Sequence, residues 1–255
     1  MIPIKTPVEI RKMRESCQIA AKVLEETVAI IAPGVNTWDI DHFAKNIIEE
    51  NGARSACHLY QIGSKRYPSY TCLSVNEEVV HGIANIRRVL KVGDIITVDV
   101  AISYNGYIGD NARTIAVGRV QPEVERLLRI TEESLYLAIE KARNNNRVGD
   151  ISNTVQTFVE SCGFNVIRDF VGHGVGRSLH EEPQIPNFGP KGKFDKLRPG
   201  MTLAIEPMVA MGKPEVDVLS DGWTAVTRDR LPAAHFEHTV LVSDGAPEIL
   251  TRYKK

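Results

Sequence analysis

Apolar positions along the chain follow two alternating periods. From Ile10 to Ile31 they recur every three or four residues (Ile10, Met13, Cys17, Ala20, Leu24, Val28, Ile31), which lays one apolar stripe along a helix. Thr6 is a good N-cap for it, Pro7 suits the first turn and Glu9 completes a capping box. Pro33-Gly34 ends it. Thr37 is expected to cap a second helix carrying Ile40, Phe43, Ile47 and Ile48, stopped by Asn51-Gly52. Residues 53–72 read as a loop with His58, Tyr60, Tyr67, Pro68 and Tyr70, and Thr71 to Val80 as one strand leading to His81-Gly82. A third helix is predicted over about residues 122–144, with Leu128, Thr131, Leu135, Ala138, Ile139 and Ala142 inward. Asp150 is expected to cap a fourth, with Ile151, Val155, Phe158 and Cys162 inward and Gly163 at its end. The remainder is strand and loop, rich in Gly and Pro.

Between the second and third helices lies Ile95 to Gly118, where two β-branched runs flank Asn105-Gly106, the strongest short-range hairpin signal. A type I′ turn there pairs Tyr104 with Tyr107 and sets Ala101 opposite Asp110. Side chains alternate faces with period two, so Asp99 shares a face with Asp110, as a diagonal neighbour about 7–8 Å away at the backbone. Like charges in a half-buried sheet are costly without a counter-charge. Either both acids face solvent, or a cation lies between them. Asp99 interrupts the apolar run Ile95, Ile96, Val98, Val100, where strands are usually covered on both faces.

The order of two helices and then a hairpin occurs twice. Asp39-Ile40, Glu49 and Gly52 match Asp150-Ile151, Glu160 and Gly163 at a constant offset of 111, and Lys91 to Asp99 matches Arg198 to Glu206 at 107. The acid that interrupts the first buried strand therefore recurs as Glu206 in its counterpart. A repeat of this kind predicts one α/β (α+β) domain over residues 1–255, built from halves of about 1–120 and 121–255, with antiparallel sheet inside and helices outside. Its acids would meet on a pseudo-twofold axis.

Composition narrows the function. The chain has 255 residues, 43% of them hydrophobic, and a net charge of −1, so no global field draws it to nucleic acid or to a membrane. No apolar run approaches the roughly 18 residues of a membrane span, and residues 1–14 lack a secretory h-region. Cys17, Cys57, Cys72 and Cys162 form no metal-ligand spacing and fit reduced thiols in a cytoplasmic setting. The chemistry therefore rests on the acids. Glu237 in PAAHFEHTVLV interrupts a strand as Asp110 does, and His173 lies in Gly-His-Gly-Val-Gly, where backbone can approach a site closely. Asp99, Asp110, Glu206, Glu237 and one imidazole would hold two divalent cations, a recurrent hydrolytic arrangement. Oxygen ligands with one His favour Mn, Fe(II), Co or Zn.

The segments NEEVVHG (76–82), VDVAISYNGYIGD (98–110), GHGVGRSLHEEP (172–183), GMTLAIEPMV (200–209) and FEHTVLV (236–242), with the opening IKTPVEIRKMRESCQIAA, resemble the type I methionine aminopeptidases from about Ile4 to Leu250. The resemblance implies the pita-bread fold of that family. It implies that Asp110, His173, Glu206 and Glu237 hold one metal, that Asp99, Asp110 and Glu237 hold the other, and that His81 and His180 contact substrate. Glu206 would shuttle a proton, His180 would donate to the oxyanion, and His81 would bond the scissile amide nitrogen. Cys72, Tyr67 and Trp223, and less strongly Tyr60, are implied as the methionine pocket. The implied reaction removes the first methionine of nascent proteins when the second residue is small, by a monomer acting transiently near the ribosome exit. Three departures stand out: a longer stretch at 57–72, Leu179 where an aromatic is frequent, and Asn111 after Asp110 where a small hydroxyl residue is common. Rival expectations are a proline-specific aminopeptidase or dipeptidase on the same fold, and a non-catalytic peptide- or ribosome-binding module.

Overall fold

The computed structural model describes residues 2–253. α1 (Pro7–Ala29) opens on the expected capping box, with the Glu9 carboxylate accepting from the Thr6 N–H at 2.9 Å. α2 (Thr37–Glu50) starts at the residue expected to cap it. Asn36 is the N-cap, its side chain accepting from Asp39 N at 2.9 Å, while the Thr37 hydroxyl donates to Asn85 O at 3.1 Å. Asn is the better cap, and Thr is free to tie the helix to a loop.

The stretch 53–72 is not simply loop. It holds β1 (Arg54–Ser55) and a short hairpin of β2 (Gln61–Ile62) and β3 (Lys65–Arg66). The single strand expected to Val80 is two, β4 (Cys72–Val75) and β5 (Glu78–Val80), broken where Asn76 turns left-handed at φ 58°. β6 (Ile95–Tyr104) and β7 (Tyr107–Ala116) form the hairpin in the expected register, Tyr104 opposite Tyr107 and Ala101 opposite Asp110. Asn105 and Gly106 take φ of 50° and 78°, as a type I′ turn requires.

α3 (Pro122–Ile139) is shorter than expected, and its inward stripe is set by Leu127 rather than the half-buried Leu128. α4 (Val148–Ser161) starts before Asp150. That acid sits in the first turn, accepting from Arg147 N at 2.8 Å, and Val159 is buried where Phe158 and Cys162 are only half-buried. α2 and α4 are both 14 residues long and start 111 residues apart, the offset of the repeat.

The second half continues with β8 (Asn165–Val166), β9 (Val171–Gly174), β10 (Glu181–Pro186), β11 (Thr202–Ile205), β12 (Met208–Ala210), β13 (Val216–Val218), β14 (Ala225–Thr227), β15 (Ala233–His235), β16 (Glu237–Leu241) and β17 (Glu248–Ile249). An antiparallel sheet of nine strands runs through both halves in the order β1-β6-β7-β16-β11-β9-β10, with β4 also on β6 and β17 on β16. The halves join at β7 and β16, where Glu237 faces Ala112. Glu206 does not interrupt a strand as Asp99 does. It follows the last residue of β11, because Pro207 cannot continue the ladder.

The helices cover the opposite face. α1 and α2 bury Ala20, Val23, Leu24, Ile40 and Ile48 with Val98 and Val100, and α3 and α4 bury Leu127, Leu135, Ile151 and Val155 with Leu203 and Val240. α1 lies so close to β7 that a Cβ on Gly109 would stand 2.7 Å from Cys17 Cα.

Candidate metal centre

Strand register brings the five candidate ligands to one face. Asp99 on β6 faces Ala112 on β7, which faces Glu237 on β16. Extending the β11–β16 register one step past Ile205↔His238 brings Glu206 opposite Glu237. The neighbouring row runs from Ala101 to Asp110. It continues through Thr239, whose hydroxyl donates to Asp110 O at 2.8 Å, to Ala204 and His173. Paired residues share a face, as do residues two apart on a strand. Asp99, Asp110, His173, Glu206 and Glu237 therefore converge, and the positions between them include Ala101, Ala112 and Ala204, whose methyl groups leave the floor open. All five line one cavity of about 310 Å³. Gly172 is required beside them, since a Cβ there would lie 2.5 Å from Ala204 O and 3.3 Å from Glu206 Cγ.

His173 is set for a ligand role. Its Nδ1 lies 2.9 Å from Gly174 O, so Nδ1 carries the proton and donates. Nε2 is left bare, 3.4 Å from Glu206 Oε1 and 3.9 Å from Asp110 Oδ2. Burial lowers its pKa to about 4, so the ring is neutral. Asp110, His173 and Glu237 each offer a ligand atom within 4.8 Å of the others. Glu237 Oε1 is buried without a partner.

The acids cannot all be ionised as they stand. Burial raises Asp99 to about 6, with Glu206 adding to the rise and His235 opposing it. Burial, and then repulsion from Asp99 and Glu206, holds Asp110 well above the carboxylate range. Glu206 and Glu237 are raised likewise, burial being the main cause. A divalent cation is the counter-charge this set lacks. An orphaned buried carboxylate oxygen, a bare imidazole nitrogen and oxygen-rich donors fit such an ion.

The flanking imidazoles stand at the same cavity. Tyr60 OH lies 2.8 Å from His180 Nδ1, and the His180 ring meets His173 edge-on at 4.4 Å. His81 takes φ 61°, and its ring stands edge-on to Phe170 at 5.5 Å. Burial lowers its pKa to about 4. At the apolar end, Tyr67 meets Trp223 edge-on at 5.3 Å, and the Tyr67 hydroxyl donates to Gly82 O at 2.7 Å. Cys72 packs with them, and Tyr60 and Leu179 lean on the cluster.

All eleven residues singled out for the site, Tyr60 among them, line the cavity. Cys57, Phe170 and Ile62 line it too and were not foreseen, because nothing in the aperiodic stretches around them marks a face. Ile62 belongs to the β2–β3 hairpin, which forms within the 57–72 stretch. His235 was also missed. It is buried behind Glu206, its Nε2 3.4 Å from Glu206 Oε2. Its parity with Glu237, two residues on, was the available signal.

Comparison with known proteins agrees with this geometry. Residues 11–244 match the model of metallopeptidase family M24. Methionine aminopeptidase 1 of Bacillus subtilis is 46% identical over 252 residues, covering 99% of this chain and 100% of the relative. The crystal structure of methionine aminopeptidase from Thermotoga maritima superposes with a TM-score of 0.95 at 49% identity, covering 99% of this chain and 100% of that one. The prolidase of Pyrococcus horikoshii, at 22% identity and a TM-score of 0.78, shares the fold; this chain covers 64% of its length.

Proposed function

The chain belongs to metallopeptidase family M24 and, within it, to the methionine aminopeptidases of pita-bread fold; from that premise we propose how its residues carry out the removal of N-terminal methionine. Asp110, His173, Glu206 and Glu237 hold one divalent ion, and Asp99, Asp110 and Glu237 a second, drawn from Mn, Fe(II), Co or Zn. When bound, the ions supply Lewis acidity to the scissile carbonyl and lower the pKa of the attacking water.

The protein's own groups do the rest. Glu206 accepts the proton of the nucleophile and delivers it to the departing amine, a role open to a carboxylate that lines the cavity among the candidate ligands. His180, with Nδ1 engaged by Tyr60, has Nε2 free to donate to the oxyanion. His81, neutral by burial, bonds the amide nitrogen of the scissile bond. Cys72, Tyr67 and Trp223, joined by Cys57, receive the thioether side chain in an apolar cluster that excludes water.

The observation that carries this reading is the placement of five ligands on one face of the sheet, at the end of an apolar pocket. The test is release of methionine from Met-Ala-Ser across a series of Mn, Fe(II), Co and Zn under anaerobic conditions, with an Xaa-Pro peptide alongside. Cleavage of Xaa-Pro in preference to Met-Ala-Ser would overturn it, and inactivity with every metal would favour a binding module.

We read the chain as one catalytic unit, supported by the sheet that crosses both halves. Its partner is the N-terminal peptide of nascent proteins, with a small second residue. A cytoplasmic monomer working near the ribosome exit, without nucleic-acid binding of its own, suits a near-neutral chain. Among the described residues no helix is long and apolar enough to cross a membrane.

A further inference from the structure

We propose that His235 is a positioning residue for Glu206, holding the outer oxygen of that carboxylate through a hydrogen bond from its Nε2–H. The proposal rests on the reading of Glu206 as ligand and proton shuttle.

His235 is 2% exposed, and both ring nitrogens are buried without a hydrogen-bond partner. An orphaned buried imidazole is costly, so a fold that retains one has a nearby use for it. The nearest acceptor is Glu206, whose Oε2 lies 3.4 Å from Nε2. The other oxygen, Oε1, is 3.4 Å from His173 Nε2, on the ligand side. The two oxygens of one carboxylate are thus divided between two imidazoles. His173 has a bare Nε2, because its Nδ1–H is committed to Gly174 O. Once Glu206 is ionised as a metal ligand its carboxylate only accepts, so His235 must supply the donor. The two atoms already stand within reach of each other, and a turn of either side chain aligns the bond.

The backbone supports this role. His235 N and O are both held by the Thr114 hydroxyl, at 2.9 and 2.8 Å, and that hydroxyl is braced by Thr97 at 2.7 Å. Met208, two residues after Glu206, pairs with His235 across β12 and β15. The ring is thereby fixed to the same framework that carries the ligands on β6 and β7. Glu206 needs such a brace, because it follows the end of β11 and its own strand does not continue past it. Outer partners that orient a ligating carboxylate typically contribute 10–100-fold in metal affinity.

The test uses full-length protein, His235→Gln, which keeps an N–H donor, and His235→Phe, which keeps bulk and loses it. Affinity for Mn²⁺ is measured by calorimetry on the metal-free forms, whose melting temperatures report folding. The proposal expects about 10–100-fold weaker binding and a lower kcat with little change in KM for Phe, and values within about threefold of the parent for Gln. ¹⁵N-histidine spectra of the zinc-loaded parent provide a readout that needs no variant, with His235 assigned from the spectrum of His235→Gln. A protonated Nε2 is expected. A bare or metal-bound Nε2, parental affinity in His235→Phe, or equal losses in a folded Phe and Gln pair would each overturn it. If Met-Ala-Ser is not cleaved by any form, the metal affinities and the tautomer still decide the role of His235, and only the catalytic reading fails.

Discussion

Asp99 and Glu237 both stand opposite Ala112, one from each side of β7. A methyl group between the buried Glu237 and the half-buried Asp99 leaves a space that a cation would fill and that a larger side chain would take. Ala112→Leu is expected to fold, since the added carbons enter a cavity of about 310 Å³. It should lose at least about tenfold in metal affinity, and turnover with it. Metal content after gel filtration, read beside the melting temperature, checks this; a folded variant with full metal content would contradict the placement.

Glu206→Gln removes a ligand and the proton carrier together. Turnover of Met-Ala-Ser should fall by about 10²–10⁴-fold even with metal in excess. Near-parental rates at saturating metal would refute the assignment.

His180 donates to charge that develops only in the transition state. His180→Ala should lower kcat by about 10²-fold with little change in KM. Tyr60→Phe, which frees His180 Nδ1 from its 2.8 Å contact, should give a loss of the same kind but smaller, about three- to tenfold. A pure KM effect in both variants would move the two residues to substrate binding.

The clustered acids link stability to pH. Asp99 is raised from 3.8 to about 6 in the folded chain, so its contribution to the metal-free protein is full below 3.8 and is lost as pH rises through 6. Asp110, Glu206 and Glu237, raised further, carry that loss to higher pH. His81 and His173 act in the opposite sense: lowered from 6.5 to about 4, they contribute above 6.5 and lose the contribution as pH falls towards 4. Well above pH 6.5 the imidazole contribution, which His180, His235 and His238 share, levels off and the acids dominate the change. The melting temperature in chelator should therefore decline from pH 6.5 to 8.5, and the gap to Mn²⁺-loaded protein should widen. Scanning fluorimetry across that range measures it, and a constant gap would count against a shared acid cluster.

Local chemistry made much of this legible in advance. Asn105-Gly106 admits only a two-residue turn of one hand, so counting from it placed Asp99 and Asp110 on one face. The spacing of the repeat foresaw the recurrence of an acid at Glu206, and its offset of 111 is the distance between the starts of α2 and α4. Where the reading slipped, two local signals competed. Thr37 and Asn36 were both able to cap α2. Asp150 served from inside its helix rather than at the cap. Leu127 and Leu128 were separated only by which of them met the sheet.

The sequence by itself determined the register of the β6–β7 hairpin and the repeat, because each follows from a period of two or from motifs of fixed spacing, and it named the candidate ligands. The tertiary structure alone decided that β7 pairs with β16, and that contact is what turns two pairs of acids into one site. It also decided that part of residues 57–72 forms a hairpin whose Ile62 lines the pocket, that Cys57 and Phe170 join its wall, and that His235 stands behind Glu206. Contacts between residues far apart in the chain depend on how whole layers pack, and no local period encodes them.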